Sequence, residues 1–417
     1  MPDTDFAPDT ARTHRDVVCG FCGLGCDDLT VDVAGRDVHA VAPVCPEAAR
    51  LFRRKDVPDA LPRLAGEACS PTEASEAARS LLLAARSPLI AGMGVEMAGA
   101  GALVDLAAKF GGVLDHHAST GLFRNYSATQ RTGWLSTTLA EVRNRCDVLL
   151  VIGDDPTASF SRLFEKMIPA DPLFAQSRRV VFLGAAPGEK AKTQLADTTI
   201  THLAATDVVA ALEAINGFAA GRHVVGEAFG GVPAEALQEV AAALMASAYA
   251  VVTWNAGKLD EGAMVATRAT ALVDLLNVAT RAGVFPLGGT DNLIGVNQLM
   301  LWRLGYPLRT AIRGGASEHD SALFATDNAV DDADLLVWVS AFRPEPPPAF
   351  SGKVIALAHP DTVFSRPPDV FIPVGTPGVD HAGTVFRMDS IVSLPLGALR
   401  VATLPSVAEA LRRIAED

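Results

Sequence analysis

Two hydrophobic periods divide the chain. Polar and apolar residues alternate from Asp27 to Val33 and again, after Ala34-Gly35, from Arg36 to Val41. Period two on both sides of a glycine turn predicts a β-hairpin. Further on, Ser70-Pro71-Thr72-Glu73 combines an N-cap, a first-turn proline and an acid three residues after the cap, and predicts an alanine-rich helix to Ala85. The pattern then changes to short unbroken apolar runs, each short enough for a strand buried on both faces of a parallel sheet.

These runs repeat. Pro88–Gly94 is followed by an Ala/Leu-rich helix through Phe110, and 250–257 by a similar helix through Ala282. The run 145–153 is matched by 332–340, each with an acidic lead-in; 179–184 is matched by 353–358, and 198–201 by 370–374. Strand, glycine turn and helix recurring in one order predict two related Rossmann-like lobes. The expected fold is α/β: a cysteine-rich β domain over 1–62, a first lobe over 63–245 with exchange of strands allowed, and a second lobe over 246–417.

Composition narrows the function. The 417 residues are 49% apolar but only 6% aromatic, which suits close helix–sheet packing. A net charge of −13 argues against nucleic acid or an anionic membrane surface as partner. Met1 to Arg15 is polar and does not resemble a secretory signal, and no run reaches the length of a membrane span. Six unevenly spaced cysteines make no disulfide framework, so a cytoplasmic protein is expected.

Four of those cysteines stand together: Cys19, Cys22 and Cys26 in a C-x2-C-x3-C run with glycines between, then Cys45 before Pro46. Thiolates suit iron–sulfur clusters and zinc. One compact triplet plus a distant fourth is nearer the cubane 4Fe-4S pattern than paired zinc knuckles; zinc, and a thiol loop holding nothing, stay open. Cys69 and Cys146 are isolated and read as packed thiols.

Open parallel sheets bind ligands beyond the C-terminal ends of their strands, here Gly92–Gly94, Gly153–Asp155, Gly257, Gly288–Asn292, Phe342-Arg343 and His359-Pro360. None carries a complete dinucleotide or P-loop fingerprint, so Gly92-Met93-Gly94 reads as turn chemistry and Asp154-Asp155 before Pro156 as a turn and helix cap. His116-His117 lacks a third metal ligand and reads as a surface or hydrogen-bonded pair. Ser119-Thr120-Gly121 has no base at motif spacing, and no serine-hydrolase elbow is present. The Phe342–Pro348 run reads as a stiff connection.

The residues carry a resemblance. Cys19 to Asp28, Thr138 to Asp147, Asn292 to Trp302, and Val374 to Asp380 with Gly383 to Asp389 resemble the molybdopterin oxidoreductase superfamily, within it the B subunits of formylmethanofuran dehydrogenase. The resemblance spans most of the chain and implies that superfamily's fold without its pterin-binding β-barrel. It also implies a cysteine or selenocysteine metal ligand near Ser119, Thr120 or Gly121, yet no cysteine lies between Cys69 and Cys146. Where the resemblance implies Arg-Gly-His-Tyr-Asn, the chain has Gly288-Gly289-Thr290-Asp291-Asn292, and Pro46-Glu47 replace a basic residue that bridges cluster and pterin.

These departures resemble the B subunits of formyltransferase/hydrolase complexes, which move a formyl group from tetrahydromethanopterin through a furan-type carrier to formate during formaldehyde oxidation. Such a resemblance implies A, C and D partner subunits that bind the formyl carrier, no catalytic residue in this chain, no molybdopterin or tungstopterin, and at most a structural cluster on Cys19, Cys22, Cys26 and Cys45. The competing expectation is a working dehydrogenase subunit, with cluster and metallopterin, in which Ser119 or Thr120 ligates the metal.

Overall fold

The computed structural model describes residues 11–53, 57, 59–175 and 177–416; Pro58 and the residues up to Thr10, which include most of the polar N-terminal stretch, lie outside them. The chain divides into two compact units, one formed by Met1–Ser119 with Gly289–Asp417 and the other by Thr120–Gly288.

The first unit begins with an antiparallel sheet of Arg12–Val17, Leu29–Ala34 and Asp37–Ala42, the last two joined at Gly35 with φ 60°. Arg12–Val17 was not expected as a strand because its run of charged residues shows no apolar period. A larger sheet has the order Ala316–His319, Thr310–Arg313, Gly112–Leu114, Pro88–Gly94, Leu335–Ser340, Lys353–Ala358, Val370–Pro373, Arg63–Leu64, Glu67–Ala68. Its five strands from Gly112–Leu114 to Val370–Pro373 are parallel. From Pro88–Gly94 the sheet continues to one side, and from Leu335–Ser340 to the other. The order therefore reverses between these two neighbours, and their C-terminal ends open the crevice where such sheets take ligands.

The second unit is built on a parallel sheet in the order Thr199–Leu203, Arg179–Gly184, Val148–Gly153, Ala250–Trp254, Ala282–Pro286. Every residue of Val148–Gly153 and Ala250–Trp254 is buried, which is why these strands read as unbroken apolar runs. On one face Leu150, Ile152, Val252 and Trp254 pack with Leu212, Ile215, Leu237, Val240, Val265 and Leu272 of the covering helices.

Two expectations change. The helix expected to run through Ala282 ends at Leu276, and Ala282–Pro286 is a strand. The two sheets do not follow the sequence halves: Pro88–Gly94 pairs with Leu335–Ser340, while Val148–Gly153 pairs with Ala250–Trp254. A uniformly apolar strand carries no information about which sheet it joins, so repeat order alone assigned the lobes. The helices Pro71–Ala84 and Met97–Phe110 form where their caps and periodicity place them, the first with a reciprocal Ser70/Glu73 capping box.

Candidate functional site

The crevice of the first unit is framed by backbone held in left-handed conformations. Gly92 has φ 81° and Met93 φ 51° at one strand end, while Asp291 (51°) and Asn292 (63°) stand in the facing loop. A Cβ on Gly92 would lie 2.5 Å from the Val339 carbonyl oxygen, so only glycine fits there. Backbone strain of this kind gathers at functional sites and persists where neighbours over-determine it.

Those neighbours are polar. The Ala118 amide donates to His116 Nδ1 at 3.1 Å, which leaves the proton on Nε2, 3.2 Å from the Asp291 carbonyl oxygen. Burial, and then His117, push the His116 pKa well below its usual range, so this ring is neutral. His117 stacks on it at 4.4 Å and directs Nδ1 to the Gly92 carbonyl oxygen at 3.0 Å. Its Nε2 lies 3.5 Å from Asp291 Oδ2, an atom that is buried and accepts no hydrogen bond. The other oxygen, Oδ1, accepts from Arg343 Nε at 2.7 Å.

Arg343 joins the crevice to the cysteine loop. Besides Asp291 it engages Glu47 through Nη1 and the Phe21 carbonyl oxygen through Nη2 at 2.9 Å. The Asp291 amide donates to that same Phe21 oxygen at 3.1 Å. The loop is closed by the Cys19 amide on the Cys26 carbonyl at 2.7 Å, with Gly23 and Gly25 at φ 82° and 62°. Cys45 caps the helix Pro46–Phe52, its Sγ accepting from Ala48 N at 3.4 Å.

Cys19 and Cys26 are buried, and Cys22 and Cys45 half-buried. Burial pushes the Cys19 thiol well up, and the neighbouring Cys22, Cys26 and Cys45 add to it. Burial likewise raises Cys22 to about 11, against the pull of the Arg343 charge. Even so, among the described residues no group of three or more His, Cys, Asp or Glu stands ready to hold a metal ion. The four thiols have the softness of a cluster or zinc donor set.

Of the three residues near the expected molybdenum or tungsten ligand, Ser119 and Gly121 do not fit that role. Ser119 is buried, and its Oγ is clamped by Arg309 Nε at 3.2 Å and Nη2 at 3.1 Å. Asp115 Oδ1 stands 3.7 Å from the same guanidinium. Arg309 is itself left-handed, φ 59°. A hydroxyl oxygen that already accepts from two guanidinium nitrogens has its lone pairs engaged and is a poor metal ligand. In the second unit a Cβ on Gly121 would meet Gly257 N at 2.9 Å, so backbone closes the position of a ligand side chain there. Asn292 is a brace: its Nδ2 donates to the Val95 carbonyl at 2.8 Å, and its Oδ1 accepts from Phe386 N at 2.9 Å.

The second unit has its own strand-end cavity of about 200 Å³, lined by Asp154, Asp155, Trp254, Asn255, Lys258 and Leu259 among others. Asp155 is the cap that its position before Pro156 suggested, accepting from Thr157 N and Gly188 N, each at 2.8 Å. Cys146 is buried and its thiol pushed up by burial, while Cys69 is half-buried.

Sequence reasoning placed the cysteine loop, the strand-end loops and the histidine pair, but assigned no role to Asp291, Arg309 or Arg343. Arg343 had one available signal, its position directly after a buried strand, and the prolines beside it drew the reading to stiffness.

No protein-family model matches the chain. It is 26% identical to the B subunit of the tungsten-containing formylmethanofuran dehydrogenase 2 of Methanocaldococcus jannaschii, the alignment covering 91% of this chain and 92% of that one. It is 29% identical to the B subunit of the formyltransferase/hydrolase complex Fhc of Methylorubrum extorquens, over 77% of this chain and 87% of that one. A chain in the crystal structure of the FhcABCD complex from Methylorubrum extorquens, solved with methylofuran, matches with a TM-score of 0.73 and 26% identity, covering 85% of this chain and 97% of that chain. Similarity along nearly the whole length, in sequence and in fold, makes this chain a homologue of the B subunits of formylmethanofuran dehydrogenase and of the Fhc complex.

Proposed function

We propose that the chain is the non-redox structural subunit of a formyltransferase/hydrolase complex that converts formyl-tetrahydromethanopterin to formate through a furan-type carrier. The observation that carries this reading is the Arg309 clamp on Ser119, because one of the two hydroxyls that could serve a metallopterin, the other being that of Thr120, is committed to a guanidinium. The absence of any thiol between Cys69 and Cys146 supports it, as does Asp291, whose Oδ1 is engaged by Arg343 where the resemblance implies a tyrosine.

In this reading the catalytic groups sit in partner subunits of the A, C and D types: a metal-dependent hydrolytic site in the first, formyl transfer in the last, and the carrier held between partners. The methylofuran in the homologous complex supports a furan-type carrier. This chain contributes docking surface, and Cys19, Cys22, Cys26 and Cys45 are the donor set for a structural 4Fe-4S cluster.

Elemental analysis of the native protein, purified anaerobically with its co-purifying subunits, tests the proposal. The expected result is no molybdenum or tungsten, with zinc tracking one of the partners. Molybdenum or tungsten near one per chain overturns it in favour of a dehydrogenase, and about four irons per chain assigns the cluster.

A further inference from the structure

The Arg343 guanidinium has one more consequence. It reaches three separate stretches of the first unit at once: Asp291 in the loop after Gly289, Glu47 beside Cys45, and the Phe21 carbonyl beside Cys22. A rigid planar fork with five donors can do this, and a lysine cannot.

Its own position is fixed. Ser340 Oγ donates to the Arg343 carbonyl at 2.7 Å, Trp338 Nε1 donates to the Glu345 carbonyl at 2.8 Å, and Ala341 N donates to the Gly94 carbonyl at 2.9 Å. Phe342 packs edge-on against Phe21 at 6.3 Å, and Phe21 packs edge-on against Phe52 at 5.3 Å. Cys22, half-buried, follows Phe21 in the chain. With the loop held by Arg343 this thiol is only partly exposed, and lifting the loop away from Arg343 would expose it fully to a reagent or metal ion.

We propose that Arg343 is a clasp, fastened to Asp291 and Glu47, that governs access of thiol reagents and thiophilic metal ions to Cys22. It acts by positioning the loop, whether or not the complex carries a redox centre.

Alkylation by N-ethylmaleimide, followed peptide by peptide with mass spectrometry on the protein together with its co-purifying subunits, tests the clasp. Glu47→Gln and Asp291→Asn each remove one fastening and also one negative charge near Cys22, so N-ethylmaleimide is compared with a bulkier maleimide: a more acidic thiol speeds both reagents equally, whereas opening speeds the bulkier one more. Each variant is expected to accelerate Cys22 several-fold and the pair together about tenfold or more, with Cys146 unchanged. A metal on the thiolates leaves the direction unaltered, since its release then limits labelling. Unchanged labelling of Cys22 in Glu47→Gln overturns the proposal, as does an equal rise at buried Cys146, which signals global unfolding. If Asp291→Asn fails to fold, Glu47→Gln decides alone, because Glu47 sits at the partly exposed end of the network.

Discussion

Removal of the Asp380 carboxylate is expected to destabilise the first unit strongly. Asp380 Oδ1 accepts from Arg400 Nε at 2.6 Å, and Oδ2 accepts from Thr376 N at 2.7 Å. The two side chains are 7% and 4% exposed, so solvent does little to screen them. In Asp380→Ala the guanidinium stays buried, keeps its Arg36 carbonyl contact at 3.1 Å and loses the Asp380 charge, and the Thr376 amide loses its acceptor. Breaking one side of a buried pair costs about 3–5 kcal/mol, whereas replacing both sides by apolar groups is often close to neutral. At roughly 2–4 °C per kcal/mol for a body of this size, the single variant should unfold roughly 6–20 °C earlier. Asp380→Ala combined with Arg400→Met should recover much of that loss. Calorimetry and urea unfolding of both variants measure it. A single-variant loss below about 1 kcal/mol, or a double variant no better than the single, refutes the reasoning.

Three further outcomes are expected. Glu409 accepts from the Ser406 amide at 2.8 Å and from its hydroxyl at 3.0 Å, and the amide bond above all holds its carboxyl below the usual range despite partial burial. A depressed folded pKa gives stability that is present above the unfolded value and is lost as pH falls through the folded one. Glu409→Ala should therefore cost about 0.5–1 kcal/mol at neutral pH, and the gap to wild type should close in acid; a gap constant with pH contradicts the cap. Gly92→Ala should cost roughly 2–4 kcal/mol, from its left-handed φ and the Val339 carbonyl in its way, and a stable variant in urea unfolding would mean the strand end is pliable. Ser119→Ala should lower stability by about 1–2 kcal/mol, because Arg309 loses an acceptor, and leave formyl-transfer turnover of the assembled complex unchanged; a lost turnover would restore Ser119 as a functional ligand.

The elements that sequence alone resolved were those with a local cause. Val148–Gly153 and Leu335–Ser340 are buried throughout, so their apolar runs mark them as parallel strands. Ser70 and Glu73 mark a helix start through hydrogen bonds that need no tertiary partner. Ser119–Thr132, by contrast, forms a helix that the sequence did not mark, because its polar residues show no clear apolar stripe and Asn125 accepts from the Trp254 indole at 2.9 Å. The site followed the same division. The cysteines were visible as a spacing, whereas Asp291, Arg309 and Arg343 acquire meaning only from residues far away in sequence. The partners of Asp291 come from His116, His117, Phe21 and Arg343, and no periodicity connects those positions to it.

The pairing of Pro88–Gly94 with Leu335–Ser340 also constrains how the protein can be made. On the ribosome, a central strand of the first unit emerges about 240 residues before its neighbour, roughly ten to fifty seconds at ordinary rates of synthesis. Throughout that interval an apolar strand has an unpaired edge, which is a template for aggregation. Thr120–Gly288 is contiguous and can close its own parallel sheet meanwhile. Synthesis therefore favours a sequence of events, with the inserted unit complete before the unit whose two segments flank it in the chain, and the waiting strand is the place where a chaperone or a slowed ribosome would change the yield.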